Sequence, residues 1–407
     1  MDKKTIYFYR ITLLPITGLL VILPFSGFQT LREIFFFLLL ALFIGVQISN
    51  REKIYHAPFP GTYFPLFIIA SFVWTFVALV TAIDASYSFN EIATKMSKQY
   101  LLYFLTFFFV RGMPPGKIKW ILCGCVFSAF IMSVFACYQF SQSPQFFVNR
   151  VHGFTGAFYR LSTFLVFAIP IGIVLTFSFQ GWLKRILFLC IPVLFAALFF
   201  TFTRGAWIAV AVEVSLLVFI FMKRYRKFFL SLFITTVLII TGLAYQSVLP
   251  KQVILHGSEQ PRIEAAKLSF EIIRAYPLTG IGYGKETFSK YYPETYVKHS
   301  HNIFINTAVE TGFIGLFLLI GILWLIGKTF LRAIRAEMVL DRKYMLSGIF
   351  ASCAGFLFLN MFDYMYHGWP GQMFWMTIGM GHALMAPGYP AGVLALKDTK
   401  EQSSQPV

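Results

Sequence analysis

The sequence is poor in charged residues and in cysteine. Only 13% of its 407 residues are charged, whereas a soluble globular domain has roughly 25%. This shortage argues against a mainly soluble protein. The five cysteines all lie inside apolar runs and have neither disulfide-framework nor zinc-ribbon spacing, so we interpret them as buried small apolar residues.

Apolar and aromatic residues are abundant instead. They make up 58% and 19% of the chain, and 50 residues are phenylalanine. The net charge of +17 would suit a nucleic-acid-binding protein, but the charges cluster in the gaps between apolar runs. We therefore expect an integral membrane protein that contacts membrane lipid and binds no nucleic acid, with no room for a separate soluble domain.

Twelve apolar runs, each about as long as a membrane crossing requires, predict twelve transmembrane helices. The first follows a short basic segment and has no small-residue cleavage site after Leu23, so we expect a retained helix rather than a signal peptide. The runs lie near residues 9–23, 33–49, 63–83, 92–110, 118–140, 161–179, 185–202, 206–222, 228–246, 302–327, 345–362 and 372–386.

The basic residues predict the orientation of these helices. Basic clusters at residues 223–227 and 328–343 are expected to be cytoplasmic by the positive-inside rule, which also makes both termini cytoplasmic. The long segment 246–301 then faces the outside. It contains an amphipathic helix that begins after Pro261 and is stopped by Pro277. The predicted fold is an all-α integral membrane protein of about twelve transmembrane helices with one long periplasmic loop that contains an amphipathic helix.

This orientation predicts the outcome of a reporter-fusion experiment. A topology reporter fused after residue 226 should report the cytoplasm, and one fused after residue 258 should report the periplasm, because a transmembrane span is predicted between them. Finding both fusions on the same side would refute the twelve-span arrangement.

Three segments carry a resemblance to a known family. His301-Asn302 is followed after nine residues by Gly312 and after two more by Gly315, which resembles the motif of bacterial O-antigen ligases. These ligases belong to a superfamily with O-antigen polymerases and pilin oligosaccharyltransferases. Arg204-Gly205 resembles the family's external Arg-Gly turn, and Arg262 resembles its second essential arginine. Leu316 and Phe317 depart from the ligase pattern, which favours two threonines there.

The resemblance implies a membrane glycosyltransferase with a GT-C-like fold. It suggests an N-terminal transmembrane bundle at 1–200 and a ligase-like catalytic region at 201–327, which includes the external loop 246–301. C-terminal transmembrane helices at 328–386 and a cytoplasmic tail at 387–407 would complete the chain. The implied donor is a glycan linked to undecaprenyl diphosphate, and the implied acceptor is the lipid A core or another glycan.

The chemistry of such a transfer needs residues of the types found in these motifs. Departure of a polyprenyl diphosphate requires cations, and arginine matches phosphate oxygens bidentately, which suits Arg204 and Arg262. The acceptor hydroxyl must lose a proton, and a neutral imidazole suits that role. We therefore expect His301 to be the catalytic base and the two arginines to bind the diphosphate.

Other polar residues are candidates for supporting roles. Asn302, Asn306 and Glu310 recur every four residues and should face the bundle interior. The glycine-rich segment 279–285 lacks Walker spacing, and we interpret it as a flexible turn. The candidate supporting residues are His299, Asn302, Glu310, Arg150, Arg160, Asp363 and His367.

The absence of acidic residues also bears on cofactors. Residues 24–32, the first outer loop, contain no acid, and no nearby carboxylate or cysteine completes a metal site with His299 and His301. We therefore expect metal-independent catalysis without a cofactor. The resemblance and the predicted orientation together imply a site on the periplasmic face of a bacterial inner membrane.

Several functions remain open from the sequence. Ligation to the lipid A core and polymerisation of repeat units use the same chemistry, and protein O-glycosylation is a third variant. A transporter of the same lipid-linked glycan belongs to a different class. The lack of an internal repeat weakens the transporter hypothesis, and the single long external loop favours an enzyme.

Overall fold

A computed structural model describes residues 3–49, 63–142, 149–222, 231, 259–295 and 297–386, and these residues form helices and no strand. A 3-10 turn at Ala78–Thr81 and a π turn at Ile92–Met96 adjoin the α-helices. The α-helices are α1 Lys3–Ile22, α2 Gln29–Ser49, α3 Phe64–Val77, α4 Ala85–Glu91, α5 Ser97–Arg111, α6 Pro115–Gln142, α7 Phe158–Ser178, α8 Gly181–Phe200, α9 Arg204–Phe221, α10 Glu259–Ala275, α11 Thr287–Tyr291, α12 Ile303–Ala336, α13 Leu340–Leu359 and α14 Trp369–Met385.

Seven of the described helices are long and apolar enough to cross a membrane, namely α2, α3 with its 3-10 extension, α6, α7, α8, α9 and α12. The protein is therefore an all-α, multi-pass membrane protein. The runs predicted near 92–110, 345–362 and 372–386 are the helices α5, α13 and α14. Apart from residue 231, the run at 228–246 lies outside the described residues, so the number of twelve spans stays a prediction.

Helix α7 lies at the centre of the bundle. Its sequence is apolar on all sides after the first turn, which is typical of a helix that is surrounded by others. It packs against α6, α8, α9 and α13, and most of its residues are buried. The helix α14 packs along α5. The two halves of the chain thus share one core.

The helix α12 is interrupted at Gly312, whose φ of 70° and ψ of −174° are not helical. The backbone groups released by this break bond to the glycine-rich turn. Ile281 N–H donates to the carbonyl of Val309 (2.9 Å), Gly282 N–H to that of Glu310 (3.1 Å), and Phe313 N–H to that of Pro277 (2.8 Å). The turn predicted to be flexible is therefore docked along the interruption of α12.

The glycines in this contact allow two backbones to approach closely. A Cβ on Gly312 would lie 2.0 Å from the carbonyl oxygen of Leu278, and one on Gly280 would lie 2.4 Å from that of Val309. Both glycines have positive φ, which other residues rarely adopt. These glycines are thus explained by contact with α12 rather than by flexibility or by closeness to lipid.

The same turn is attached to the first half of the chain. Ile83 N–H donates to the carbonyl of Ile281 (3.0 Å), and the hydroxyl of Thr81 donates to that of Thr279 (2.7 Å). Lys290 forms an ion pair with Asp84. The segment between α10 and α12 is thereby held against the end of α3 and the start of α4, which fixes the start of α12 relative to the bundle.

Candidate functional site

The candidate base lies in the turn that precedes α12, and Asn302 shapes that turn. Its side-chain oxygen accepts the backbone N–H groups of Phe304 (2.9 Å) and Ile305 (3.1 Å), which is the N-cap arrangement. Its amide donates to the carbonyl of Met361 at 3.1 Å. The predicted supporting residue Asn302 therefore caps the helix and ties it to the loop after α13.

His301 is held in an unusual backbone conformation within this turn. Its φ is 54°, in the left-handed region that few non-glycine residues adopt. Phe202, two residues before Arg204, has a φ of 49°. Strained residues of this kind concentrate at functional sites. Phe202 precedes the Arg204-Gly205 motif, and His301 is the first residue of the His301-Asn302 motif.

Asp363 is the acidic partner of His301. His301 Nδ1 lies 3.3 Å from Asp363 Oδ1 across a separation of 62 residues in sequence. When Nδ1 donates to this carboxylate, Nε2 keeps its lone pair and can accept a proton. The same carboxylate oxygen accepts the N–H of Tyr364 at 2.9 Å, so the acid is fixed in turn.

The electrostatics of this pair favour an ionised acid. Burial acts to raise the pKa of Asp363, but the hydrogen bond and charge of His301, the charge of His299 and the Tyr364 amide together lower that pKa below its usual value. An ionised Asp363 stabilises a positive charge that forms on His301 during proton transfer.

His299 lies beside His301 and is largely buried. The ring centroids are 4.3 Å apart, and His299 Nδ1 accepts the backbone N–H of His301 at 3.3 Å. Burial first, and the neighbouring charge of His301 next, lower the pKa of His299 to about 3. His299 is therefore neutral at ambient pH and positions the turn that carries His301.

The expectation that no carboxylate accompanies the two histidines is wrong. One potential ligand atom from each of His299, His301 and Asp363 lies within 4.8 Å of the others. Asp363 lies 62 residues after His301 in the sequence, so no local pattern indicates this set. Asp363 reaches it only because the loop after α13 folds against the start of α12.

A cluster of buried polar side chains contacts the loop that follows α13. His367 Nε2 lies 3.0 Å from Glu310 Oε1, and the hydroxyl of Tyr364 donates to Glu310 Oε2 at 3.3 Å. Asn306 accepts the N–H of Ser300 at 3.3 Å. Glu310 and Asn306 are buried, which confirms for these two residues the prediction that the stripe faces the interior, whereas Asn302 is half-buried.

Arg204 begins α9 close to the loop that carries Asp363. A Cβ on the adjacent Gly205 would lie 3.3 Å from Leu359 Cδ1 and 3.9 Å from Phe362 Cβ, so only small groups fit between α9 and the end of α13. Burial and then the charge of Arg204 lower the pKa of Arg150. Two guanidinium groups are thus held near each other, as at sites that receive anions.

Lys285 is a basic residue that the sequence analysis did not select. The pKa of Lys285 is lowered overall. Partial burial and the positive charges of Arg160 and Lys298 lower it, and the negative charge of Asp363 opposes this shift. Lys285 therefore belongs to the charged surroundings of the candidate site, together with the predicted residue Arg160. Its place at the end of the docked glycine turn is visible only in the folded chain.

A cavity of about 510 Å³ opens next to the two histidines. It lies between α10 and the segment before α12. Its lining residues are Glu264, Glu294, Thr295, Val297, Lys298, His299 and His301. Arg262 is exposed on α10, two residues from Glu264, and does not line the cavity itself. The structure thus brings His301 together with His299, Asn302 and Asp363, and places Arg262 at the adjoining helix.

Comparison with known proteins agrees with the motifs. No curated protein matches the chain. A family model described as O-antigen ligase matches residues 186–320, a segment that contains Arg204, Arg262, His301 and the interruption at Gly312. This match confirms the resemblance over that segment and supports an assignment to the O-antigen ligase and polymerase superfamily.

Proposed function

We propose that the protein is an inverting, metal-independent glycosyltransferase that moves a glycan from undecaprenyl diphosphate to a hydroxyl of the lipid A core. The main support is the pair of His301 and Asp363, in which an acid anchored by backbone contacts orients an imidazole beside an open cavity. The family match covers the segment with the base and both motif arginines.

In the proposed reaction the acceptor oxygen attacks C1 of the donor sugar from the side opposite the diphosphate. The new C1–O bond forms while the bond from C1 to the diphosphate oxygen breaks, so the configuration at C1 is inverted. The hydroxyl proton passes to Nε2 of His301, and the bonding electron pair leaves with the diphosphate. Asp363 keeps Nδ1–H in place and offsets the imidazolium charge.

The leaving diphosphate needs positive charge, which several basic residues supply in the proposal. Arg204, with Arg150 nearby, would bind its oxygens bidentately. At about 4 Å and an effective dielectric near 20, each charge pair is worth roughly 4 kcal/mol before desolvation. Arg262 on α10 would add a further contact, and Arg160 and Lys285 would strengthen the local positive potential.

The placement of these residues favours a site at one membrane surface. Arg204 is the first residue of α9, Arg160 lies in the first turn of α7, and His301 immediately precedes Asn302, the N-cap of α12. A transporter would instead need basic residues along the middle of several helices. We place the site on the periplasmic face of the inner membrane, because the basic clusters of the predicted inner loops orient the chain that way.

Replacement of Arg204 by lysine tests the role of a bidentate contact. Arg204→Lys keeps the positive charge but loses the planar fork, so we expect single-turnover transfer to fall by at least about 10-fold, equivalent to roughly one charge-assisted hydrogen bond. Arg185→Lys on α8 is the control and should transfer at the wild-type rate. Equal rates for wild type and Arg204→Lys would mean that Arg204 does not contact the diphosphate.

Metal independence is tested by chelation. Transfer by the purified protein should be unchanged in EDTA, because in the proposed reaction the basic side chains neutralise the leaving group without a metal ion. The measurement is the initial transfer rate before and after chelation and after addition of Mg²⁺ or Mn²⁺. A large loss that Mg²⁺ or Mn²⁺ restores would refute this part of the proposal.

The acceptor is tested with purified protein in nanodiscs. Defined undecaprenyl-diphosphate-linked glycan is supplied with either lipid A core or a second molecule of lipid-linked glycan. Product on the lipid A core supports ligation. Elongation of the lipid-linked glycan alone would identify a polymerase, the alternative to which the departure at Leu316 and Phe317 points. Movement of donor across the bilayer without a new glycosidic bond would identify a transporter.

A further inference from the structure

We propose that His299, His301 and Asp363 form a binding site for a divalent transition-metal ion, with zinc as the ion that fits best, and that its occupation inhibits glycan transfer. The inhibitory effect rests on the proposed function of His301 as the base. Binding of the ion does not depend on that function and can be measured separately.

The first support is geometric. A tetrahedral zinc ion holds nitrogen and oxygen ligands at about 2.0–2.2 Å, which places neighbouring ligand atoms about 3.3–3.6 Å apart. His301 Nδ1 and Asp363 Oδ1 are already 3.3 Å apart. One atom from each of the three side chains lies within 4.8 Å of the others, so rotations that move an atom by about 1 Å would complete the set.

The second support is that the ligands are held in place before any ion binds. His299 is only 9% exposed, and its ring faces that of Tyr364, with centroids 5.8 Å apart. The backbone of Tyr364 fixes Asp363, and Asn302 fixes the turn that carries His301. A preorganised set loses little conformational freedom on binding.

The third support is access and charge. The cavity of about 510 Å³ reaches both histidines, so an ion can enter and a water molecule can take the fourth position. Glu264 and Glu294 line this cavity with the single basic residue Lys298. With Asp363, these carboxylates offset the nearby positive charges of Lys298 and Lys285, which lowers the electrostatic barrier to an entering cation.

The ligand types determine which ions should bind. Two imidazole nitrogens and one carboxylate suit zinc, copper and nickel. Magnesium and calcium prefer sites built from oxygen ligands, so these ions should not compete. The site therefore does not supply the Mg²⁺-type chemistry that the chelation experiment tests.

A bound ion would remove the base from the reaction. The ion would bind the side chains of His301 and Asp363. The imidazole of His301 would then not be available to accept the proton of the acceptor hydroxyl. Zinc should therefore lower the transfer rate, and a chelator should restore it. Chelation should therefore raise the activity of protein that carries zinc and leave the activity of metal-free protein unchanged.

Binding is tested with the full chain purified in detergent and freed of metal. Co²⁺ gives visible absorption bands when it enters a tetrahedral site, and zinc should displace it with one ion per chain. His299→Ala and Asp363→Ala should weaken zinc binding by at least about 10-fold, measured by competition with a coloured chelator. His152→Ala, which removes a histidine of another outer loop, should bind zinc as the wild type does.

The outcomes separate this inference from the proposed function. One zinc ion per chain, lost in both variants and accompanied by reversible inhibition of transfer, supports the inference. Absence of tight binding, or equal binding by wild type and variants, overturns it and leaves the transferase proposal intact. Zinc that binds at these residues but stimulates transfer overturns the inhibitory role and metal independence together. Zinc binding without any glycan transfer supports the metal site and contradicts the proposed function.

Discussion

His301→Asn should retain binding of the lipid-linked donor and lose about 10² to 10⁴ in the rate of single-turnover transfer. Asparagine tolerates the left-handed backbone conformation of this position, where φ is 54°. Its amide can also donate to Asp363 in place of the imidazole. It cannot take up a proton at neutral pH, so the substitution removes the base while it preserves the turn.

The measurement is donor affinity together with the single-turnover rate at saturating donor, in nanodiscs. His301→Ala should show the same loss of rate, with a lower stability because alanine is strained at positive φ. His152→Asn is the control for loss of an imidazole from an outer loop and should transfer normally. A wild-type rate for His301→Asn would show that the motif is structural. Loss of donor binding with a normal rate at saturation would instead place His301 in the diphosphate site.

Gly312→Ala should destabilise the protein by about 3 kcal/mol or more, or prevent its accumulation in the membrane. Its φ of 70° and ψ of −174° lie in a region that is essentially restricted to glycine. The added Cβ would also lie 2.0 Å from the carbonyl oxygen of Leu278. Relief of that contact would separate the glycine turn from α12 and release the hydrogen bonds between them.

Gly327→Ala is the matched control, because it lies in the same helix and a Cβ there meets nothing within 4 Å. Alanine is the better helix former by about 1 kcal/mol, so this variant should be as stable as the wild type or more so. The readouts are the amount of monodisperse protein in detergent and its midpoint of thermal unfolding. An unchanged midpoint for Gly312→Ala would mean that the interruption of α12 is not required for the fold.

Residues close together in the sequence account for much that could be predicted. The apolar runs predicted the helices, and the spacing of His301, Gly312 and Gly315 indicated the superfamily. Periodicity of four also predicted that Asn306 and Glu310 face the interior. Each of these patterns depends on the geometry of a single helix or on a run of apolar residues, which neighbouring residues are sufficient to specify.

Contacts between distant segments could not be predicted in this way. N–H groups of the glycine turn donate to carbonyl groups of α12 that lie about 30 residues later in the chain and that lack helical partners at the interruption. Backbone groups away from water need such partners. No local pattern indicates such a partner. For the same reason the sequence did not indicate Lys285, since its charged neighbours Arg160 and Asp363 come from distant segments.

The sequence by itself determined that this is a helical membrane protein that resembles the O-antigen ligase and polymerase superfamily, and it identified His301, Arg204 and Arg262 as candidates. Composition indicates whether a chain folds in water or in lipid, and short motifs specify the chemically active side chains. Only the tertiary structure decided that Asp363 is the partner of His301, that His299 completes a possible metal site with them, and that Arg150 lies near Arg204. These assignments depend on distances between side chains that are far apart in sequence, and those distances exist only after the helices have packed.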